Sequence, residues 1–415
     1  MLYFLVLLYI SLMYIRPAEI FSQWATFPFA DVVGGIAGFV GVVSLMLKPR
    51  PVVDLPQDKF LLAFWSLIFL STVTVWFQLA YEGWLAFMPV VFCYFLIRVG
   101  IRTHSQFRGV IYLLIALNVF QAANGIVQYH TGIGLGDVPM IMDRIYGTGI
   151  FNDPNDLGMT FVMAVPLVLA VALNRAGRFV NRVLFLLALA AILVALYYTN
   201  SRGAVVGLAA ALVCYSFLSL KRMTGFVVAA VLVTVVVVAA PARSTQIDYE
   251  ESSAQGRIQA WAEGLAMLKA NPVLGVGYGQ YMEFAPVVAH NSFVHTLAEL
   301  GLLGGFCLVG MFYWYFVDLR KETLQTTEAK RWRTALVSSG VGILTCSWFL
   351  SRQYVVVPYI LLAVGTSWAV LNTKPGDMPK LKTTGRDVFN IGALTIGGLT
   401  VVYVSVRTLA IWSGG

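Results

Sequence analysis

From end to end the chain alternates between long apolar runs and short polar stretches. The apolar runs last about 17 to 25 residues, the length at which a helix crosses the hydrocarbon core of a bilayer. They predict spans at 1–15, 27–47, 60–79, 81–98, 109–128, 158–174, 180–199, 203–220, 224–241, 294–317, 334–351, 354–372 and 388–411. The first is short and the last follows a basic linker, so the pattern fits twelve spans as well as thirteen. Helix is the expected form, because lipid offers no partner to an open backbone. The expected fold is therefore an all-α polytopic membrane protein forming one integral membrane unit over 1–415. Its apolar first segment lacks a basic leader and a cleavage site, and it reads as a retained span.

The polar stretches orient the spans. With the N-terminus inside, cytoplasmic segments hold Lys48 to Lys59, Arg98 to Arg108, Arg175 to Arg182, Lys221 and Arg222, Arg320 to Arg333, and Lys374 to Arg386. That is twenty of the 28 basic residues, in alternate loops, as the positive-inside rule requires. Arg16, Arg144, Arg202, Arg243, Arg257, Lys269, Arg352 and Arg407 fall outside. Two external loops are long, 130–157 and 242–293. Within the second, Ile258, Trp261, Leu265 and Leu268 are spaced for a short amphipathic helix on the membrane surface, ended by Asn271-Pro272. Gly275, Gly277 and Gly279 follow in GVGYG. This is a tight turn folding the loop back, since a dinucleotide fingerprint needs a strand before it and a helix after it.

Composition agrees with this reading. The chain is 59% hydrophobic and 12% charged, against about 25% charged in soluble domains. The net charge of +8 belongs to the cytoplasmic loops and does not indicate nucleic acid. Cys93, Cys214, Cys307 and Cys346 each lie within an apolar run, spaced for neither a disulfide framework nor a zinc site. No fixed-period repeat or matched halves are visible, which argues against a transporter built on inverted repeats.

Candidate chemistry collects at the outer ends of the spans. External arginines break the charge rule, and guanidinium groups bind phosphate oxygens bidentately. Arg202 in the turn TNSRG and Arg257 lead this group, followed by Arg144 and Arg352. Together they suit a lipid-linked diphosphate, the alternative being interfacial anchoring or pairing with loop carboxylates. His290 opens an apolar segment and is the candidate general base. Asn291 either orients it or, with Ser292, caps the following helix. His295, about 500° further round the helix, does not share its face. Glu299 is an acid near the outer end of a span, expected to pair with an outer arginine. In FNDPNDLG, Asn152, Asp153, Asn155 and Asp156 can cap a helix, bind sugar hydroxyls or hold a cation. The loop lacks the spacing of an EF-hand.

In the stretch HNSFVHTLAELGLLGG, nine residues separate the pair His290-Asn291 from Gly301, and two more separate Gly301 from Gly304. This motif, the preceding GRIQAWAEGLAMLKANPVLGVGYGQY and the polar FNDPNDLG together resemble the O-antigen ligase family and the related O-antigen polymerases, over roughly 144–305. The resemblance implies an all-helical membrane glycosyltransferase of GT-C-like architecture, without metal or other cofactor and inverting at the anomeric carbon. It implies a glycan donor on undecaprenyl diphosphate, a lipid A-core acceptor, and a site on the periplasmic face of the bacterial inner membrane, with membrane lipids as the other partners. It makes His290 the base and Arg202 and Arg257 the diphosphate ligands. A diphosphate leaving group needs charge stabilisation more than protonation, so one base suffices. Rival readings are a polymerase with the same donor, a protein O-oligosaccharyltransferase, and a transporter of lipid-linked sugar or a small anion. A transporter should carry more polar groups at mid-bilayer.

The topology is open to a direct check. A cysteine at Asn152 should react with a membrane-impermeant maleimide added outside intact spheroplasts, and one at Lys59 only after permeabilisation. The reverse pattern would invert the orientation.

Overall fold

In the computed structural model the described residues are 1–47, 53, 55–174, 178–220, 223–225, 227–228, 230–231, 254–320, 326–373 and 382–409. They form α1 (Leu2–Tyr14), α2 (Pro17–Ile20), α3 (Phe29–Leu47), α4 (Pro56–Val73), α5 (Phe77–Gly100), α6 (His104–Thr131), α7 (Pro154–Ala172), α8 (Phe179–Tyr198) and α9 (Arg202–Ser219). After them come α10 (Ala254–Ala270), α11 (Tyr281–Phe284), α12 (Ser292–Arg320), α13 (Thr327–Phe349), α14 (Val356–Leu371) and α15 (Gly385–Leu409). The chain is an all-α multi-pass membrane protein. Nine described helices are long and apolar enough to cross a bilayer. A two-stranded hairpin, Ile133–Gly134 against Val138–Pro139, interrupts the helical pattern after α6.

Each predicted span other than 224–241 coincides with a helix. That span lies mostly outside the described residues, as do positions 242–253 with Arg243, and several of the basic residues expected on the cytoplasmic side. One boundary moves. The break predicted near 80 falls at Thr74–Trp76, where the Thr72 and Thr74 hydroxyls turn back onto the carbonyls of Ile68 and Ser71 and compete with the helical ladder. The helix begins earlier too, because Gln57 and Asp58 are buried against protein. Asp58 accepts from Tyr94 Oη at 2.8 Å and pairs with Arg98 at 3.3 Å, and Gln57 donates to the Met311 carbonyl. Hydropathy cannot foresee such internal partners. The centre is formed by α7 and α14, buried along almost their whole lengths. Around them pack α4, α5, α6, α8, α9, α12 and α13.

The amphipathic helix exists as predicted, as α10, but its apolar face lies on the protein. Ile258, Trp261 and Leu268 are buried against Val294, Leu297 and Val402 of α12 and α15. Ile258 and Leu268 each contribute roughly 1.5–3 kcal/mol on leaving water. Two directed bonds fix the helix further, Trp261 Nε1 to the Ala289 carbonyl at 2.9 Å and Tyr281 Oη to that of Ala260 at 2.5 Å.

The predicted continuous span 294–317 is broken at Gly301, whose φ and ψ are 66° and −165°. A break frees carbonyls and amides that lipid cannot satisfy, and the glycine-rich turn satisfies them. Val276 and Gly277 donate to the Ala298 and Glu299 carbonyls at 2.9 Å, while Leu302 and Leu303 donate to those of Pro272 and Val273 at 2.9 and 3.4 Å. Glycine is required on both sides of this exchange. A Cβ on Gly301 would lie 2.3 Å from the Val273 carbonyl oxygen, and one on Gly275 2.4 Å from that of Glu299. Both also have left-handed φ.

Gly301→Ala should therefore cost at least about 1–3 kcal/mol from backbone strain alone, read as a lowered melting temperature of the detergent-solubilised protein. Gly392→Ala, in open space on α15, is the control expected to change little.

Candidate functional site

The broken helix, the Arg352 turn and α10 converge on one end of the bundle, with His290 between them. Asn291 caps α12. Its Oδ1 accepts from the amides of Phe293 and Val294 at 2.9 and 3.0 Å, so the capping alternative describes this oxygen. Its Nδ2 is buried without a hydrogen-bond partner. Ser292 Oγ donates to the Leu350 carbonyl at 2.6 Å and accepts from the Arg352 amide at 2.8 Å, latching the start of α12 to the α13–α14 turn. His290 has φ of 48°, unusual for a residue with a Cβ. Such strain persists where surroundings impose it, often at working sites.

The four arginines divide into two kinds. Arg352 is committed to carboxylates, with Nη2 2.7 Å from Asp153 Oδ2 and Nε 2.5 Å from Asp156 Oδ1. Burial would raise the Asp153 carboxyl, but Arg352 and the Asn155 amide outweigh it and hold it below its ordinary value. Arg144 is committed as well. Its Nε donates to the Thr199 carbonyl at 2.8 Å and its Nη2 to Asn155 Oδ1 at 3.0 Å. Ser201 Oγ donates to that same oxygen at 2.8 Å, tying the loop 130–157 to the turn that presents Arg202. FNDPNDLG thus serves capping and arginine fixation, with Asp153 also accepting from the Asn155 amide at 2.6 Å. Asn152 is exposed.

Arg202 and Arg257 are placed differently. Arg202 is exposed at the first turn of α9. Arg257 is half-buried near the start of α10, and its Nε is buried without a hydrogen-bond partner. Burial first, and then the nearby Arg202 charge, lowers its pKa. Two like charges brought together with a donor unused is the arrangement that an incoming polyanion relieves.

Glu299 corrects the expectation of an arginine partner. Its carboxylate lies 3.1 Å from His295 Nε2, accepts from Tyr354 Oη at 2.8 Å and from the Tyr281 amide at 3.1 Å. It anchors the broken stretch of α12 from below. The i, i+4 spacing of His295 and Glu299 was a usable signal, since such residues share a helix face. The Ser292 latch and the Trp261 bond had none, because their partners are backbone groups.

A cavity of about 410 Å³ runs from this end along α12, between α13, α14 and α15. Ser292 and Arg352 lie at one end and Arg320 at the other, with Phe312, Phe316 and Trp348 along its wall. Among the described residues, no group of three or more His, Cys, Asp or Glu side chains is placed to hold a metal ion.

Burial first, then the charges of Arg257 and Arg352, pushes the His290 imidazole down to about 4. It is neutral at physiological pH and able to accept a proton. In the unfolded chain a histidine takes up its proton near 6.5. Folding therefore loses stability as the pH falls from about 6.5 towards 4, where the folded site finally protonates. A ¹³C-histidine NMR titration should find one imidazole titrating near 4, absent in His290→Ala and shifted upward in Arg257→Gln.

No curated protein matches the chain. Residues 185–309 match the profile of the family described as O-antigen ligase. The matched segment runs from α8 into α12 and contains Arg202, Arg257, His290, Asn291, Gly301 and Gly304. Arg144, the FNDPNDLG loop and Arg352 lie beyond it. Over residues 185–309 the chain is thus similar to the O-antigen ligase family.

Proposed function

We propose that the protein is an O-antigen ligase, an inverting and metal-independent glycosyltransferase. It moves a glycan from undecaprenyl diphosphate to lipid A-core at the periplasmic face of the bacterial inner membrane, in lipopolysaccharide biosynthesis. The observation that carries this reading is the neutral His290 held beside the underused cation Arg257, within the matched family segment.

The acceptor hydroxyl oxygen attacks the anomeric carbon of the donor's first sugar. As that bond forms, the bond from carbon to the diphosphate oxygen breaks, and the diphosphate keeps the electron pair. The hydroxyl proton passes to a ring nitrogen of His290. Arg257 and Arg202 take the charge that grows on the diphosphate, the contribution expected to dominate when the leaving group is already good. Arg144 and Arg352 act as positioning residues. The low proton affinity of the empty-site imidazole makes it a weak base. A bound diphosphate offsets the positive field of the arginines and raises that affinity, so the base strengthens when the donor arrives. The donor's polyprenyl chain follows the cavity along α12.

The test uses purified protein, undecaprenyl diphosphate-linked glycan and lipid A-core, with EDTA present. Glycan should appear on lipid A-core. His290→Ala and Arg257→Ala should each lower the rate by about a hundredfold or more, with normal insertion and melting temperature. Lengthened glycan on the carrier alone would make the protein a polymerase, and wild-type rates in both variants would sink the site assignment.

A further inference from the structure

A second groove lies on the other flank of α15. It is bounded by α10 and α15, has a volume of about 620 Å³, and includes Pro272 and Leu302 in its lining. Its walls are apolar, with Leu265 and Leu268 facing Leu399 and Val406. Two cations line it as well, Lys269 in the last turn of α10 and Arg407 in the last turn of α15. Both are exposed. Arg407 is held in place by Tyr403, whose hydroxyl accepts from its Nε at 3.1 Å. The outward surface of α15, including Ile396, Val401 and Val404, is exposed apolar side chain, so the groove borders a face suited to lipid.

An apolar slot lined also by two positive charges fits an amphiphile with acyl chains and a phosphate. The charge pattern assigns both residues to the outer side, where cations are scarce. Spacing along α10 adds a further argument. Lys269 stands twelve residues from Arg257, about 18 Å at helical rise. A substrate anchored by phosphate at Lys269 but reacting near His290 must carry its reactive hydroxyl well away from its lipid phosphate. A donor cannot do this, because its diphosphate is itself at the reacting bond.

We propose that the α10–α15 groove docks the acceptor, a phosphorylated and acylated glycolipid whose phosphate sits between Lys269 and Arg407. This rests on the transfer reaction proposed above. The acyl chains occupy the groove, and the oligosaccharide extends along α10 towards His290.

The test measures initial rates of the full-length protein against acceptor concentration at saturating donor, and against donor at saturating acceptor. The variants are Lys269→Glu with Arg407→Glu, and Leu399→Trp, which narrows the groove without changing charge. Each should raise the acceptor KM about tenfold or more, as loss of charge-assisted contacts predicts, with kcat, donor KM and melting temperature little changed. Unaltered acceptor KM in both variants, with transfer intact, overturns the groove assignment and leaves the reaction standing. Binding is followed separately by native mass spectrometry of lipid A-core on the His290→Ala protein. Lipid A-core lacking its phosphates should bind more weakly, and equal displacement by phosphatidylglycerol would mark a bulk phospholipid site and overturn the proposal. Acceptor binding that is sensitive to Lys269 and Arg407, without any transfer in the wild type, would support the groove while the reaction itself failed.

Discussion

The exchange of four backbone hydrogen bonds at Gly301 is the constraint on which the rest of the site depends. Within a bilayer an interrupted helix survives only if other groups satisfy its freed amides and carbonyls. Here the segment 272–277 does so, giving two amides and taking two. That segment can therefore neither drift nor be replaced by one with side chains at Gly275. Its position fixes the end of α10 on one side and α11 on the other. From there Trp261 and Tyr281 close α10 down onto the start of α12, bringing Arg257 to His290.

On that frame the protein accepts several unfavourable local arrangements at one place. His290 has a positive φ. Arg257 Nε and Asn291 Nδ2 are buried without hydrogen-bond partners. Such groups cost free energy comparable to a lost hydrogen bond each. Beside them Arg352 forms ion pairs with two aspartates, and Arg144 bonds to Thr199 and Asn155. On the proposed function, a bound anionic and hydroxylated substrate would supply the partners that these groups lack.

The sequence disclosed the helices, because apolar runs of membrane length have few alternative meanings. It also singled out His290, Arg202 and Arg257 as candidates, because each breaks a local rule: a titratable residue opening a span, or a cation on the side where the charge pattern expects few. It did not disclose that Arg352 belongs to Asp153 and Asp156, since residues two hundred positions apart carry no periodic signal. Hydropathy was also blind to the break at Gly301, because a glycine counts as weakly apolar whether its φ is helical or left-handed. For Glu299 the pattern misled: an acid near external arginines suggested a salt bridge, whereas i, i+4 geometry gave it His295.

The two grooves bear on stereochemistry. An inverting displacement requires the incoming hydroxyl and the departing diphosphate on opposite sides of the anomeric carbon. On the proposed reading, two lipid-anchored substrates approach His290 along separate tracks. One helix divides the tracks: Leu394 and Gly398 of α15 face the cavity that reaches Arg352, while Leu399, Tyr403 and Val406 face the groove beneath Lys269. Residues four apart on a helix share a face, and neighbours such as Gly398 and Leu399 diverge by about 100°, so a single span can wall both. On the proposed reading α15 keeps the two lipid tails apart, while their head groups meet above it at the start of α12. The glycine at 398 keeps this partition thin, since a Cβ there would press on the Phe293 ring at 3.0 Å, three residues from the proposed base.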